Sequence, residues 1–378
     1  MNVDDSPQEA EFRAGVRRWL AESVPDALCG VTDFGQRVEI DRLMAGGDLL
    51  GLTWAKEFGG RGRTAVEASI LDEEATHRGI ELARSPSRIG LQMMGPAVMG
   101  HGSDEQRARF LPPVLRVEEL WCQGFSEPDA GSDLAGVRTQ AKPDGTGGYR
   151  ITGTKLWTTQ AQHADRCLLL ARTDPEAPRH HNLTMFLMDM RQPGVTVSPI
   201  IQANGDDEFN ELHLDGAVVP AGCVLGRPGE GWRVAMTTLS SERSYALRGK
   251  YVLFAGQLTR IARLVGAAGA AHPRYPAWLE RIGELHAEVS GIRDLSYRFV
   301  SLVGAGEPTS HLGPVSHLWW STTHQRLVEF GYEVAGTLGQ DVDYWYKTWI
   351  DSRAETIYGG TSQIQRNIIS ERLLGMPR

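Results

Sequence analysis

The hydrophobic period of this chain changes twice, and that change limits the folds open to it. Residues 1–120 carry helical signals. Ser6-Pro7-Gln8-Glu9 is a capping box with proline at the first helical position, and Phe12, Val16, Trp19 and Leu20 then fall on one helix face. An apolar-periodic run follows from about Ala65 to His77, and Ser103-Asp104-Glu105-Gln106 caps a helix expected to stop near Pro112-Pro113. From Trp121 to about residue 226 the period shortens to two. Alternating runs at Tyr149–Thr152, Cys167–Ala171, Leu183–Met188, Val195–Pro199, Glu211–Leu214 and Val218–Val224 are separated by turn signals such as Asp144-Gly145, Gln192-Pro193-Gly194 and Asn204-Gly205. The helical period returns at Arg227, where Gly229-Glu230-Gly231-Trp232 opens a helix, and it holds to the end apart from loops at 266–276 and 304–314. The expected fold is a multidomain α+β arrangement. It has an N-terminal helical domain (1–120), a middle antiparallel β-barrel-like domain (121–226) and a C-terminal four-helix bundle (227–378).

Composition narrows the function classes. With 378 residues, 41% hydrophobic and 23% charged, the chain has room for two or three packed cores. A net charge of −8 argues against nucleic acid or an anionic membrane as the main partner. No apolar run approaches the length of a membrane span, and the acidic, polar start MNVDDSPQEAEF does not read as a signal peptide. Cys29, Cys122, Cys167 and Cys223 are scattered, without CxxC or metal-ligand spacing, so free thiols in a reducing cytoplasm are expected. His101 precedes a helix and reads as a satisfied loop residue. His180-His181 sits in a polar loop without the ligands a metal centre needs, so no metal site is expected.

The chemistry concentrates between Trp121 and Thr159. The run WCQGFSEPDAGSDLAG mixes Gly124, Gly131 and Gly136 with Ser126, Glu127, Ser132 and Asp133. Small residues let a ligand approach the backbone, and the hydroxyls can bond ring heteroatoms or phosphate oxygens. A second run follows: an alternating strand at Tyr149–Thr152, a turn at Gly153, then Lys155-Leu156-Trp157-Thr158-Thr159. Trp157 offers a flat apolar wall beside two hydroxyls, as a planar heterocycle needs.

FSEPDAGSD followed by GTKLWTT resembles the acyl-CoA dehydrogenase family, and so does the C-terminal run YGGTSQIQRNIISERLLGMPR. The GLTWAKEFGGRG and GSDEQRARFLPPVL segments resemble the family's N-terminal helical domain, so the likeness spans nearly the whole chain. It implies FAD as cofactor and dehydrogenation of an acyl thioester, of the CoA or carrier-protein kind, between C2 and C3. A carboxylate takes the C2 proton, while hydride leaves C3 for flavin N5. It further implies that Ser126 and Thr159 bond the flavin ring and that Phe125 and Trp157 pack against it. Thr361 and Gln363 reach its ribityl-diphosphate part. The Gly359 N–H binds the thioester carbonyl, and Ser132 and Arg243 line the acyl-carrier arm.

Much of the family carries its base as a Glu in a C-terminal Tyr-Glu-Gly-Thr, where this chain has Tyr358-Gly359-Gly360-Thr361. A minority branch carries the base on the first helix of the C-terminal domain, just before an Arg, and Glu242-Arg243 falls there. Glu242 is therefore the expected base. Glu355, about one helical turn before Gly359, ranks below it. The glycine also empties volume, so a bulky or branched acyl group is expected, such as a ring-bearing, sterol-derived or polyketide-like one.

Two family features supplied by a neighbouring subunit are missing. QLTRIARLVGAAGAAHPRYPAW lacks the Arg–Gln/Thr–Phe–Gly run, and YEVAGTLGQDVD lacks the Gln before a Gly-Gly loop. That pattern implies a related partner subunit, as in α2β2 assemblies with two flavins per four chains; a homo-oligomer is the alternative. An electron-transferring flavoprotein is the implied acceptor. The competing readings are a flavin oxidase of the same fold and a non-catalytic subunit.

Overall fold

The computed structural model describes residues 4–241, 247–307, 309 and 312–377. Its helices are α1 (Pro7–Ser23), α2 (Phe34–Gly46), α3 (Ala65–His77), α4 (Gly95–His101), α5 (Asp104–Leu115), α6 (Gly231–Ser241), α7 (Leu247–Ala268), α8 (Tyr275–Gly304), α9 (Leu312–Leu338), α10 (Val342–Ser352) and α11 (Ser362–Ile368). The strands are β1 (Trp121–Gly124), β2 (Gln140–Pro143), β3 (Tyr149–Thr159), β4 (Arg166–Arg172), β5 (Leu183–Asp189), β6 (Val195–Ile200), β7 (Phe209–Val219) and β8 (Val224–Leu225). The chain forms two compact units. One takes Met1–Glu22, Thr64–Leu82 and Ser244–Arg378; the other takes Ser23–Arg63 and Ala83–Arg243.

Local chemistry sets many of the boundaries. Ser6, Thr64 and Ser103 each close a reciprocal capping box with the Glu or Gln three residues on. Helix α5 runs through Pro112 and Pro113 to Leu115 instead of stopping at them, because the Arg116 N–H bonds the Pro112 carbonyl and Phe110, Leu111 and Val114 are buried. The strand expected over Val218–Val224 is broken. Pro220 has no N–H to give a ladder, so β7 ends at Val219 and a short 3-10 turn at Ala221–Cys223 leads into β8.

In the second unit the strands run in the order β6-β7-β3-β2-β4-β5-β8, with β1 also beside β4. The pairings are antiparallel, as expected, except that β1 and β2 each lie parallel to β4. The intervening β2–β3 hairpin gives the chain enough length to return to β4 in the same direction as β1, which period-two patterning does not reveal. Trp121, Leu168, Leu170, Met185 and Leu187 pack with Trp54, Met94 and Val234 in one core; Ile151, Cys167, Leu169, Phe186 and Leu212 form another.

In the first unit, α9 is the central helix of the four-helix bundle α7–α10, and its core holds Phe254, Leu285, Leu327, Val334 and Trp345. Helix α3 packs on α7 and α8. Its buried Asp72 accepts a hydrogen bond from the Gly249 N–H at 2.8 Å, in the first turns of α7. A Cβ on Gly249 would lie 2.5 Å from that carboxylate, so only glycine lets it approach. Burial raises the Asp72 carboxyl to about 6, against the N–H bond and the charge of Lys250. Arg13 of α1 is clamped by Asp5, Glu73 and Glu74.

Candidate active site

The signature segment is built around a buried ion pair. Lys155 is fully buried, and its ammonium donates to Glu127 Oε1 at 2.8 Å and to the Phe125 carbonyl at 3.0 Å. Glu127 also accepts from the Arg138 N–H at 2.6 Å and the Thr139 N–H at 2.9 Å. Burial alone would raise this carboxyl, but the Lys155 charge and these donors hold it below its ordinary range. Burial pushes Lys155 down, with Glu127 opposing. Residues 127–130 close a tight turn through two backbone bonds between Glu127 and Ala130. The Leu156 N–H donates to the Ser126 carbonyl at 2.9 Å, which fixes Ser126 against β3.

β3 is one continuous strand; no turn occurs at Gly153. The ladder with β7 slips between Ile151 and Gly153 and again between Lys155 and Thr158. At Gly153 a Cβ would meet Thr139 Cα at 2.7 Å, so glycine is required by the neighbouring chain. The second slip decides where Trp157 points. Ile151 and Lys155 share an inward parity, and simple alternation would put Trp157 inside with them. Instead Trp157 adopts a left-handed backbone (φ 59°), Thr158 becomes the buried residue, and the indole is 54% exposed. Its only aromatic support among the described residues is an edge contact with Phe209, centroids 6.2 Å apart. A non-glycine residue at this φ is strained, and such strain gathers where a side chain must be aimed.

Phe125, Ser126, Trp157 and Thr159 lie together around β1 and β3. Ser126 and Thr159 are half-buried, whereas Phe125 is only 5% exposed and belongs to the core. Ser132 is exposed, and its neighbour Asp133 pairs with Arg179. Gly124 and Gly131 differ against the ligand-approach expectation. A Cβ on Gly124 would meet Leu169 at 2.7 Å and Cys167 at 2.9 Å, so that glycine serves internal packing, while Gly131 faces open space. An exposed indole wall flanked by hydroxyls fits one face of a planar heterocycle such as a flavin ring.

In the helical unit, Gly359 takes the left-handed conformation (φ 63°), followed by Gly360 at φ 96°. Thr361 caps α11 by accepting from the Ile364 N–H at 3.2 Å, and Gln363 is exposed on that helix. Glu355 is turned into the bundle, its carboxylate 2.8 and 2.9 Å from His324 Nδ1. A Cβ on Gly359 would lie 3.3 Å from His317 Cε1. Glu242 and Arg243 lie outside the described residues.

The histidines weighed for other roles have packing partners. His101 bonds Thr237 at 2.8 Å, with burial lowering its pKa, and His180 stacks on Trp232. Among the described residues, no group of three or more His, Cys, Asp or Glu could hold a metal, and no helix is long and apolar enough to cross a membrane. Sequence reasoning gave no role to the Lys155–Glu127 pair or to His317 and His324. The first had a signal: a lysine on the inward parity of a strand needs a buried partner.

The fold and the signature segment define a class. The acyl-CoA dehydrogenase models match in chain order: the N-terminal domain over residues 6–118, the middle domain over 122–217 and the C-terminal domain over 229–374. The chain belongs to the acyl-CoA dehydrogenase family of flavoprotein oxidoreductases, enzymes of lipid metabolism. It is 37% identical to acyl-CoA dehydrogenase IpdE1 of Mycolicibacterium smegmatis, over 97% of this chain and 98% of the relative. Among solved structures it resembles the Tcur3481-Tcur3483 steroid ACAD, with a TM-score of 0.86, 25% identity and complete coverage of both chains. The ChsE4-ChsE5 complex from Mycobacterium tuberculosis gives a TM-score of 0.87 at 25% identity, again over 100% of each chain.

Proposed function

We propose that the chain catalyses FAD-dependent α,β-dehydrogenation of an acyl-CoA-type thioester, with Glu242 removing the C2 proton. The capture of Glu355 carries this reading. Gly359 offers no carboxylate, and the acid nearest to it in sequence is bonded to His324, which favours Glu242, the residue before Arg243 that the family resemblance points to, as base. FAD, when bound, supplies the hydride acceptor at N5.

The chain's own residues do the rest. Trp157 and Phe125 pack against the ring, and Ser126 and Thr159 bond its edge. Thr361 and Gln363 contact the ribityl-diphosphate part. The Gly359 N–H takes up charge on the thioester oxygen as the C2 proton leaves; losing such a donor costs roughly 3 kcal/mol of barrier. Ser132 and Arg243 guide the acyl-carrier arm. Desolvation of Glu242 by a bound acyl chain raises its basicity toward that of a weak carbon acid's base.

Gly359 in place of a carboxylate leaves room for a bulky acyl group, and the likeness to a protein described as a steroid ACAD supports a ring-bearing one. The absent Arg–Gln/Thr–Phe–Gly run and the likeness to a two-component complex support a related partner subunit that completes the FAD site. Electrons then pass to an electron-transferring flavoprotein, the acceptor implied for the family.

Anaerobic mixing of the flavin-loaded protein with a ring-bearing acyl-CoA tests this reading. The flavin absorbance bleaches faster than with a straight-chain acyl-CoA of equal carbon number. A preference for the straight chain contradicts the substrate class, and no bleaching with either contradicts the reaction. Full flavin content in the chain purified alone as a homo-oligomer contradicts the partner.

A further inference from the structure

The proposed carbonyl donor is a backbone N–H in a turn with two consecutive left-handed glycines, Gly359 and Gly360. Glycine holds such a conformation without steric cost but also gives it up easily, so an amide aimed from this turn needs external fastening. The structure supplies it from α9. His324 Nδ1 holds the Glu355 carboxylate, and His317 Nε2 lies 3.1 Å from the Glu355 carbonyl. The two histidines are seven residues apart on one helix and so share a face. Both are buried and individually braced. His324 stacks flat on Phe254, centroids 4.2 Å apart at 10°, and its Nε2 lies 3.1 Å from Gln257 Oε1 on α7. His317 packs edge-on to Trp320 and also floors Gly359 itself. On the far side, buried Gln365 donates to the Gly359 and Gly360 carbonyls at 2.9 and 3.0 Å.

We propose that His317 and His324 are positioning residues that aim the Gly359 amide at the thioester carbonyl through their hold on Glu355. This rests on the function proposed above. Neither histidine touches substrate; each fixes the base of the turn. A misplacement on the order of 1 Å in such a donor costs about a hundredfold in rate. The effect therefore belongs in kcat and in the polarisation of the carbonyl.

The test is the infrared band of cyclohexane-1-carbonyl-CoA, labelled with 13C at the carbonyl and bound to the flavin-loaded enzyme. In the unmodified protein the C=O band shifts to lower frequency on binding. Glu355→Ala and His317→Phe each return it toward the free value and lower kcat about tenfold or more at unchanged KM, with flavin content retained. Glu355→Gln, whose amide oxygen still accepts from Nδ1, restores most of the shift. If Glu355→Ala fails to fold, His317→Phe carries the expected loss of the shift and Glu355→Gln its expected retention. An unaltered band, or a rate loss that only follows lost flavin, overturns the positioning role. If the unmodified enzyme neither shifts the band nor turns over any acyl-CoA, the proposed function falls as well.

Discussion

Among the described residues each unit buries two carboxylates, Asp41 and Glu127 in the sheet unit and Asp72 and Glu74 in the helical unit, and Glu127 and Asp72 behave in opposite ways. Glu127, in the sheet unit, has an ammonium at 2.8 Å and two backbone donors, and stays below its ordinary range. Asp72, in the helical unit, has one backbone donor at 2.8 Å and is raised to about 6. Burial penalises both; the charge of the partner decides the sign, since Asp41, held only by neutral donors from Ser85 and Ser87, is raised as Asp72 is. The difference tracks what each acid holds. Glu127 fixes the strand that turns Trp157 outward, where a slack register would return the indole to the interior. Asp72 joins α3 to the start of α7.

Two of the left-handed positions, Trp157 and Gly359, differ in a related way. Trp157 pays strain to aim a side chain, whereas Gly359 adopts its conformation freely because it has none.

Removing one partner of the sheet unit's ion pair gives the largest expected effect. Glu127→Ala leaves Lys155 buried without its counter-charge and costs about 3–5 kcal/mol in denaturant unfolding. Replacing both by apolar residues of similar volume recovers most of that loss while slackening the strand, so flavin retention falls even where stability returns. Equal loss from the single and double changes would mean that the pair serves packing alone.

Asp72→Asn sharpens the contrast. The folded-state value near 6 lies above the ordinary 3.8, so the folded chain keeps a proton that the unfolded chain releases. This group's contribution to stability is full below about 4 and is lost as pH rises through about 6. The asparagine, which still accepts from Gly249, should stabilise the protein at pH 7–8 by on the order of 2 kcal/mol and by nothing near pH 4. Thermal unfolding of both forms across that range checks the sign; a pH-independent difference contradicts the assignment.

Trp157→Gly gives the smallest change in stability and the most telling one. Relief of left-handed strain, about 1–2 kcal/mol, roughly offsets the lost edge contact with Phe209, about 0.5–1.5 kcal/mol, and the added backbone entropy of glycine, about 0.5–1 kcal/mol, so the stability of the flavin-free protein changes little. Flavin retention nevertheless falls. A destabilised protein with full flavin would mean that the indole is structural.

The order of helical and strand regions was legible because each region keeps one hydrophobic period over many residues. The capping boxes at Ser6 and Ser103 were legible because they are local. Trp157's exposure was not, since it depends on a register slip against β7 that period-two reasoning places on the wrong face. Gly153 looked like a turn because glycine marks turns and close approaches alike; only Thr139, brought beside it by β2, separates the two. The parallel placement of β1 and β2 on β4 is set by chain length between strands, and the capture of Glu355 needs α9 folded against the turn after α10. The missing carboxylate at Gly359 could be read directly, since it is a matter of residue identity.

The proton acceptor can be tested directly with Glu242→Gln, a change that keeps side-chain volume and removes only basicity. Under anaerobic mixing with cyclohexane-1-carbonyl-CoA, the variant is expected to keep its flavin and its subunit assembly, while bleaching of the flavin band slows by roughly three orders of magnitude or more, a barrier increase of about 4 kcal/mol. Bleaching at the unmodified rate would contradict Glu242 as base and return the choice to another carboxylate.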